Sequence, residues 1–373
     1  MADSVGRLLV LSPNWLGDAV MALPALDDLR RHFSGARVIV AARRSVAGLF
    51  ALVPWVDEIV ELEWRGRVAD AGAMWSDVRR LRASRADAAL LLPNSFASAW
   101  LPFAARVPER WGYARDGRSW LLTRAIALPV AVGRSPSRES RAPSPEPRAP
   151  SPASLHQGAY YQHLVRALGA TNGPLEPRIS VPPATFVEAE GVLAAAGREA
   201  ARPLVVFAPG AAYGTAKRWW PSHFAQLAAD VIRLHRAQVV LVGSGADAAT
   251  TDEIVGLVAA DVRNGVLNLA GRTSLGSLAA IMALARVCVS NDSGAMHLAA
   301  AAGVPLAAIF GPTNEGETAP LTHAPLDLLI HDVPCRPCML RECPIDHPCM
   351  RDLAPSRVLA SVNRLLVTTE PAR

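Results

Sequence analysis

One pattern, used twice, constrains this chain more than any other feature. Short apolar runs alternate with longer stretches of helical periodicity, first over residues 7–92 and again over 204–310. In the first half, 7–12, 37–42, 57–62 and 86–92 read as strands, with 18–33 and 68–84 as helices. In the second half the strands are 204–208, 238–242, 267–269, 287–290 and 306–310, and the helices are 223–234, 246–258, 275–285 and 295–302. Strand and helix in alternation imply parallel sheets covered by helices on both faces. The predicted fold class is therefore α/β: two Rossmann-like, doubly wound domains facing a cleft, a usual place for ligands.

Residues 134–152 break this rhythm. Six Pro, five Ser and four Arg fill these nineteen positions, and no hydrophobe is larger than Ala. Such a segment cannot bury enough surface to offset its ordering entropy, which predicts a disordered insertion. Helical periodicity resumes at 157–168. The domains are assigned to 1–175 and 176–354, with the boundary in 173–183. An amphipathic helix is predicted near 355–367, and the terminal segment 355–373 is expected to pack back on the first domain.

At 373 residues, with 51% hydrophobic residues, the composition suits two globular domains and excludes a disordered tail protein or a disulfide-stapled mini-protein. Asp3 precedes the first strand, so nothing at the start resembles a signal peptide. No apolar stretch reaches the roughly 18–20 residues that span a bilayer. A cytoplasmic protein is expected, with its five Cys as thiols or metal ligands.

Charge is unevenly placed. Residues 1–153 carry 21 of the 38 basic side chains but 15 of the 33 acidic ones, so the first half holds the whole positive excess. That points to an anionic partner or a membrane surface on the N-terminal side, unless the arginines are simply solvated helix faces. No nucleic-acid partner is expected. Among the basic residues, Lys217 is the only lysine.

Four motifs carry possible chemistry. Ser12-Pro13-Asn14-Trp15-Leu16-Gly17-Asp18 joins the first strand to the first helix, at the strand end that faces the ligand crevice of a doubly wound sheet; Asp18 either points to substrate or caps its helix. Pro209-Gly210 through Tyr213-Gly214-Thr215-Ala216-Lys217 is a Gly-bearing turn in which Thr215 offers a hydroxyl and Lys217 a mobile point charge suited to phosphate. It is not a P-loop, because Arg rather than Ser or Thr follows Lys217. One lysine where arginine serves everywhere else reads either as a demand for a compact ammonium rather than a planar fork, or as drift that happened to spare a single lysine.

Asn291-Asp292-Ser293-Gly294-Ala295-Met296-His297 forms a polar elbow opening a helix, and the free N–H groups beside Ser293 and Gly294 make an anion site. Asp292 either caps that helix or accepts from a sugar hydroxyl, and His297 is either a ligand or a half-buried packing residue. Finally, Cys335, Cys338, Cys343, His347 and Cys349 lie within fifteen residues. Their spacing lacks the paired CxxC arrangement of a zinc site, so zinc is the lesser reading beside packed thiols or a redox-dependent staple.

Taken in this order, Arg7 through Pro24, Pro209-Gly210 through Lys217-Arg218-Trp219-Trp220-Pro221, and Asn291 through His297 resemble the signatures of the ADP-heptose:lipopolysaccharide heptosyltransferases, glycosyltransferase family 9. The Cys-rich tail and the Trp15 context are similar to the heptosyltransferase II branch. The resemblance implies a GT-B fold whose N-terminal domain takes the acceptor and whose C-terminal domain takes the nucleotide-sugar. It implies an inverting transfer of L-glycero-D-manno-heptose from ADP-heptose to the heptose of an anionic lipopolysaccharide inner core, at the cytoplasmic side of the inner membrane as a peripheral enzyme. It makes Asp18 the catalytic base and gives Lys217, Thr215, Asp292, Ser293, Gly294 and His297 to the donor, with no cofactor and no metal required. Heptosyltransferase I, another family member, or a non-catalytic nucleotide-sugar-binding protein of an envelope assembly are the alternative readings.

Overall fold

A computed structural model describes residues 5–64, 70–129 and 155–368 of the chain. The stretch 134–152, expected to be disordered, lies outside the described residues. The chain divides at residue 180 into two units.

The first unit runs β1 (Arg7–Leu11), α1 (Leu16–His32), β2 (Arg37–Arg43), α2 (Arg44–Phe50), β3 (Glu58–Leu62), α3 (Ala71–Ala83), β4 (Ala88–Leu91), α4 (Phe96–Ala104), β5 (Glu109–Tyr113), β6 (Arg124–Ile126) and α5 (Gln157–Arg166). All six strands are parallel, in the order β3-β2-β1-β4-β5-β6. Leu8 to Leu11 and Ala88 to Leu91 are buried on both faces, as central strands under two helical layers must be. Arg30, Arg31 and His32 close α1 where cations complement the negative end of the helix dipole.

The second unit repeats the plan with α6 (Pro183–Ala195), β7 (Leu204–Ala208), α7 (Pro221–His235), β8 (Gln238–Leu241), α8 (Ala248–Leu257), β9 (Val266–Asn268), α9 (Leu275–Leu284), β10 (Val287–Asn291), α10 (Gly294–Ala301), β11 (Leu306–Phe310), α11 (Glu315–Thr318), β12 (Leu326–Ile330), α12 (Pro348–Arg351) and α13 (Pro355–Thr368). Its parallel order is β12-β11-β10-β7-β8-β9, the same winding as the first sheet. The winding direction reverses between β1 and β4 in one sheet and between β7 and β10 in the other. Outside the carboxyl ends of such a strand pair lies the ligand crevice of a doubly wound fold.

One expectation is corrected here. The C-terminal helix α13, expected to pack back on the first domain, is built into the second unit's own core: Val358, Val362, Leu365 and Leu366 are buried with Val205, Val287, Ile309 and Trp219. Their helical spacing makes a single apolar stripe that covers the second sheet beside α7. Ser361 and Arg364 then bond the Asp327 carboxylate on β12, at 2.6 and 2.7 Å. The structure also adds β5, β6 and β12, which the sequence pattern did not reveal. β6 and β12 are sheet edges with partly exposed, polar-interrupted sequences, so they lack the continuous apolar run that marks a central strand.

Candidate functional site

In the first unit, the turn after β1 brings Asn14 and Trp15 to the surface, and Trp15 takes the N-cap position of α1 without a side-chain capping bond. Asp18 stands in the first helical turn, half-buried, where the positive end of the helix favours a carboxylate. Behind it lies Tyr161 of α5. Burial pushes the Tyr161 phenol well above its ordinary range, and the Asp18 charge adds to that shift.

The opposite wall of this crevice is the turn after β4. Its anchor is Arg118, a fully buried arginine that the sequence did not single out. The guanidinium donates to the carbonyls of Pro93 and Tyr113 and, at 2.8 Å, to Ser98 Oγ. Burial lowers its pKa to about 10. Asn94 in the same turn donates to Tyr160 Oη at 2.8 Å, and Tyr113 Oη donates to the Tyr160 carbonyl at 2.7 Å. Between the two turns is a cavity of about 50 Å³ that reaches Ser12, Asn14, Arg43, Trp64 and Ser95.

In the second unit the turns after β7 and β10 meet. Lys217 Nζ donates to Asp292 Oδ2 at 2.6 Å, and Thr313 Oγ1, from the turn after β11, donates to the same oxygen at 2.5 Å. The ion pair is nearly out of water, with side chains 12% and 4% exposed. The Lys217 ammonium also lies 4.8 Å from the centroid of the Tyr213 ring. This corrects the expected mobile charge: the one lysine is held in place. Asn291 sews the same turns together, donating to the Pro209 carbonyl at 2.7 Å and accepting the Trp219 N–H at 3.2 Å.

The other predicted donor residues fall around this pair. Thr215 opens the helical turn that carries Lys217 and is exposed. Ser293, not Asp292, is the N-cap of α10, so the capping alternative for Asp292 is overturned; Ser293 makes no side-chain capping bond, and Gly294 begins the helix with its N–H at the open end. His297 is buried within α10, which favours the packing reading. Arg218 Nε, next to Lys217, is a buried donor with no partner among the described residues.

The Cys-rich segment has a role that its spacing did not suggest. The Arg341 carbonyl accepts the Ala216 N–H at 3.0 Å, the Met339 carbonyl accepts Tyr213 Oη at 2.9 Å, and Met339 N–H donates to Pro312 at 2.8 Å. The Arg341 guanidinium sits 5.2 Å from the Tyr213 ring, on which Lys217 also rests. Arg336 reaches the Gly311 and Thr313 carbonyls and the Glu315 carboxylate. The segment thus braces the lysine turn and the Thr313 turn together. Gly214 is required at this contact, because a Cβ there would meet the Arg341 backbone carbonyl.

Among the described residues, no group of three or more His, Cys, Asp or Glu side chains is arranged to hold a metal ion. All five cysteines, Cys335, Cys338, Cys343 and Cys349 of this segment among them, are free thiols. Burial, with the neighbouring thiols adding to it, pushes Cys349 up to about 11, and burial alone takes Cys288 in β10 to about 12.

The chain is similar to known proteins in both sequence and fold. The signature described as glycosyltransferase family 9 (heptosyltransferase) matches residues 74–135 and 158–348. The chain is 32% identical to lipopolysaccharide heptosyltransferase 2 of Salmonella typhimurium, over 85% of this chain and 86% of the relative. It is 30% identical to lipopolysaccharide heptosyltransferase 2 of Escherichia coli, over 98% of this chain and 99% of that one. The solved structure of E. coli ADP-heptose lps heptosyltransferase II superposes with a TM-score of 0.80 at 28% identity, covering 98% of this chain and 100% of that one.

Proposed function

The chain belongs to glycosyltransferase family 9, the heptosyltransferases, and from that premise we propose that it transfers L-glycero-D-manno-heptose from ADP-heptose to the heptose of the lipopolysaccharide inner core, as a heptosyltransferase II. The observation that carries the donor half of this reading is the buried Lys217–Asp292 pair at the reversal point of the second sheet. It places a compact cation, the exposed Thr215 hydroxyl and the N–H groups opening α10 around one crevice.

An ammonium has three donors, and Asp292 engages one. The others can reach diphosphate oxygens. In the transfer, the acceptor hydroxyl oxygen bonds to the anomeric carbon from the face opposite the leaving group. The bond from that carbon to the β-phosphate oxygen breaks, and its electron pair leaves with ADP. The hydroxyl proton goes to the Asp18 carboxylate. Lys217 and the α10 N-terminus stabilise the charge that develops on the departing diphosphate.

No helix among the described residues is long and apolar enough to cross a membrane. A peripheral enzyme at the cytoplasmic face of the inner membrane fits both the positive excess of residues 1–153 and a membrane-borne, phosphorylated acceptor. The deciding experiment is mass-spectrometric detection of heptose transfer from ADP-heptose to two truncated acceptors, one with a single heptose and one with none. Transfer to the one-heptose acceptor alone is expected. Transfer only to the heptose-free acceptor would reassign the enzyme to the preceding step, and binding of ADP-heptose without any transfer would remove the catalytic reading.

A further inference from the structure

The outward face of α4 carries a feature that the transfer reaction does not use. Phe96, Trp100 and Phe103 recur at helical spacing, so they form one stripe. Trp120, from the short turn Ser119–Leu121, leans against both ends: its ring centroid is 6.1 Å from Phe96 and 5.9 Å from Phe103. Trp100 lies 5.7 Å from Phe103. Trp100 is partly buried against the core, but the other three rings are open to solvent, with Phe96 43%, Phe103 37% and Trp120 65% exposed. Single exposed apolar side chains are ordinary, but a contiguous aromatic patch marks a surface that meets something.

Past the last turn of α4 the patch runs into positive charge. The Arg110 guanidinium lies 5.5 Å from the centroid of the Phe103 ring. Arg82 donates to the Ala104 carbonyl at 2.8 Å and, with Arg85 and Arg106, lines a cleft of about 260 Å³. All three arginines are exposed. Arg85 and Arg106 have φ of 51° and 61°, the left-handed conformation that closes α3 and α4. Glycine is the unstrained occupant of such positions, and a β-carbon is disfavoured there. Two successive helices nevertheless end on an arginine, and both side chains line the same cleft.

We propose that this stripe and cleft are the face on which the protein docks to an anionic phospholipid membrane. The aromatic rings enter the boundary between headgroups and acyl chains, and Arg82, Arg85 and Arg106 take lipid phosphates. The proposal rests on the reading of the chain as an enzyme for a membrane-borne acceptor and names the surface that brings it there. Flat, amphipathic rings beside exposed guanidinium groups match an anionic lipid interface in both polarity and sign. The location also serves the reaction, because Ser95 and Ser98 at the start of α4 line the first-unit cavity. A membrane against α4 therefore lies close to the acceptor crevice.

The test is co-sedimentation of the full chain with phosphatidylcholine vesicles, with and without phosphatidylglycerol and free of acceptor, run beside turnover of a water-soluble, deacylated acceptor. The protein is expected to bind the anionic vesicles and to be released by salt. Phe103→Ala/Trp120→Ala should lower vesicle partition by about tenfold or more while leaving soluble-acceptor kcat/KM unchanged. Arg85→Gly/Arg106→Gly should also lose anionic-vesicle binding, yet relieve two left-handed positions and raise Tm by roughly 2–4 °C. Arginines with only a structural role would give the Tm change without the binding loss. Wild-type-like vesicle binding by both variants overturns the proposal. So does concentration-dependent self-association that Phe103→Ala/Trp120→Ala abolishes, which assigns the face to a second copy. If wild-type protein binds vesicles but never turns over the soluble acceptor, the transferase reading fails and the docking face stands.

Discussion

The two crevices occupy equivalent places in two sheets of identical winding, but they are built to different standards. In the second unit, the cation and carboxylate are out of water and in contact, and a covering segment pins the turn that carries the lysine. In the first, Asn14 and Trp15 are exposed beside a half-buried Asp18, and the strong anchoring sits one layer back, at Arg118 and the tyrosines. A small, invariant diphosphate rewards a preformed site, since ordering is then not charged against binding. On the proposed reading, in which this crevice takes the acceptor, a large lipid-linked oligosaccharide is met by a more open rim, with the rigid parts behind it.

Substitutions can break this contrast, and the largest expected effect lies in the looser crevice. Asp18→Asn keeps the shape and removes the proposed base, so kcat should fall by about 10²- to 10⁴-fold, while losing the helix-dipole contact costs stability only about 0.3–1 kcal/mol. Steady-state kinetics with saturating acceptor would show it, and near-normal kcat would transfer the base role elsewhere. In the tighter crevice, Lys217→Ala leaves the Asp292 carboxylate buried without its partner. A loss of about 3–5 kcal/mol is expected in urea unfolding, together with weakened donor binding. If Lys217→Ala unfolds like the native chain, the second crevice is no more preassembled than the first.

Gly214→Ala should cost about 1–3 kcal/mol by pushing the lysine turn off the Arg341 carbonyl. It should raise KM for ADP-heptose and leave KM for acceptor in place; equal effects on both would show that the brace serves the whole enzyme and not the donor crevice. The smallest effect concerns the thiols of that brace. A Cys349 pKa near 11 leaves so little thiolate at pH 8 that alkylation should run about 10²-fold slower than for an ordinary thiol, rising about tenfold per pH unit up to pH 10. Peptide mapping after timed iodoacetamide labelling reads this rate, and fast labelling at pH 8 would mean that the segment opens.

Much of this was legible in the chain. The turns holding Asp18, Lys217 and Asp292 each join a strand-like run to a helix-like one, and doubly wound topology sends such turns to the ligand edge. Less legible was anything that depends on partners far apart in sequence. Thr313, Asn291 and Arg118 look ordinary until folding places them against Asp292, Pro209 and Pro93. The α13 stripe shows that the helix is buried on one side but not against which sheet. The cysteine spacing left zinc, packed thiols and a redox staple open, whereas the contacts that matter in that segment come from the Met339 and Arg341 carbonyls and from Arg336, which no thiol pattern encodes.

If Lys217 takes the donor diphosphate, as proposed, the carboxylate facing it is also an internal rival for the nucleotide. A diphosphate that enters must share the ammonium with Asp292, which limits how tightly either substrate or product can hold it. When ADP departs, the ammonium is not left bare in a nearly dry pocket, because the carboxylate is already in place to receive it. On that proposed reading the pair works as a return spring: each cycle ends in the electrically satisfied state from which the next begins, and product release need not wait for water or a counterion to fill the gap.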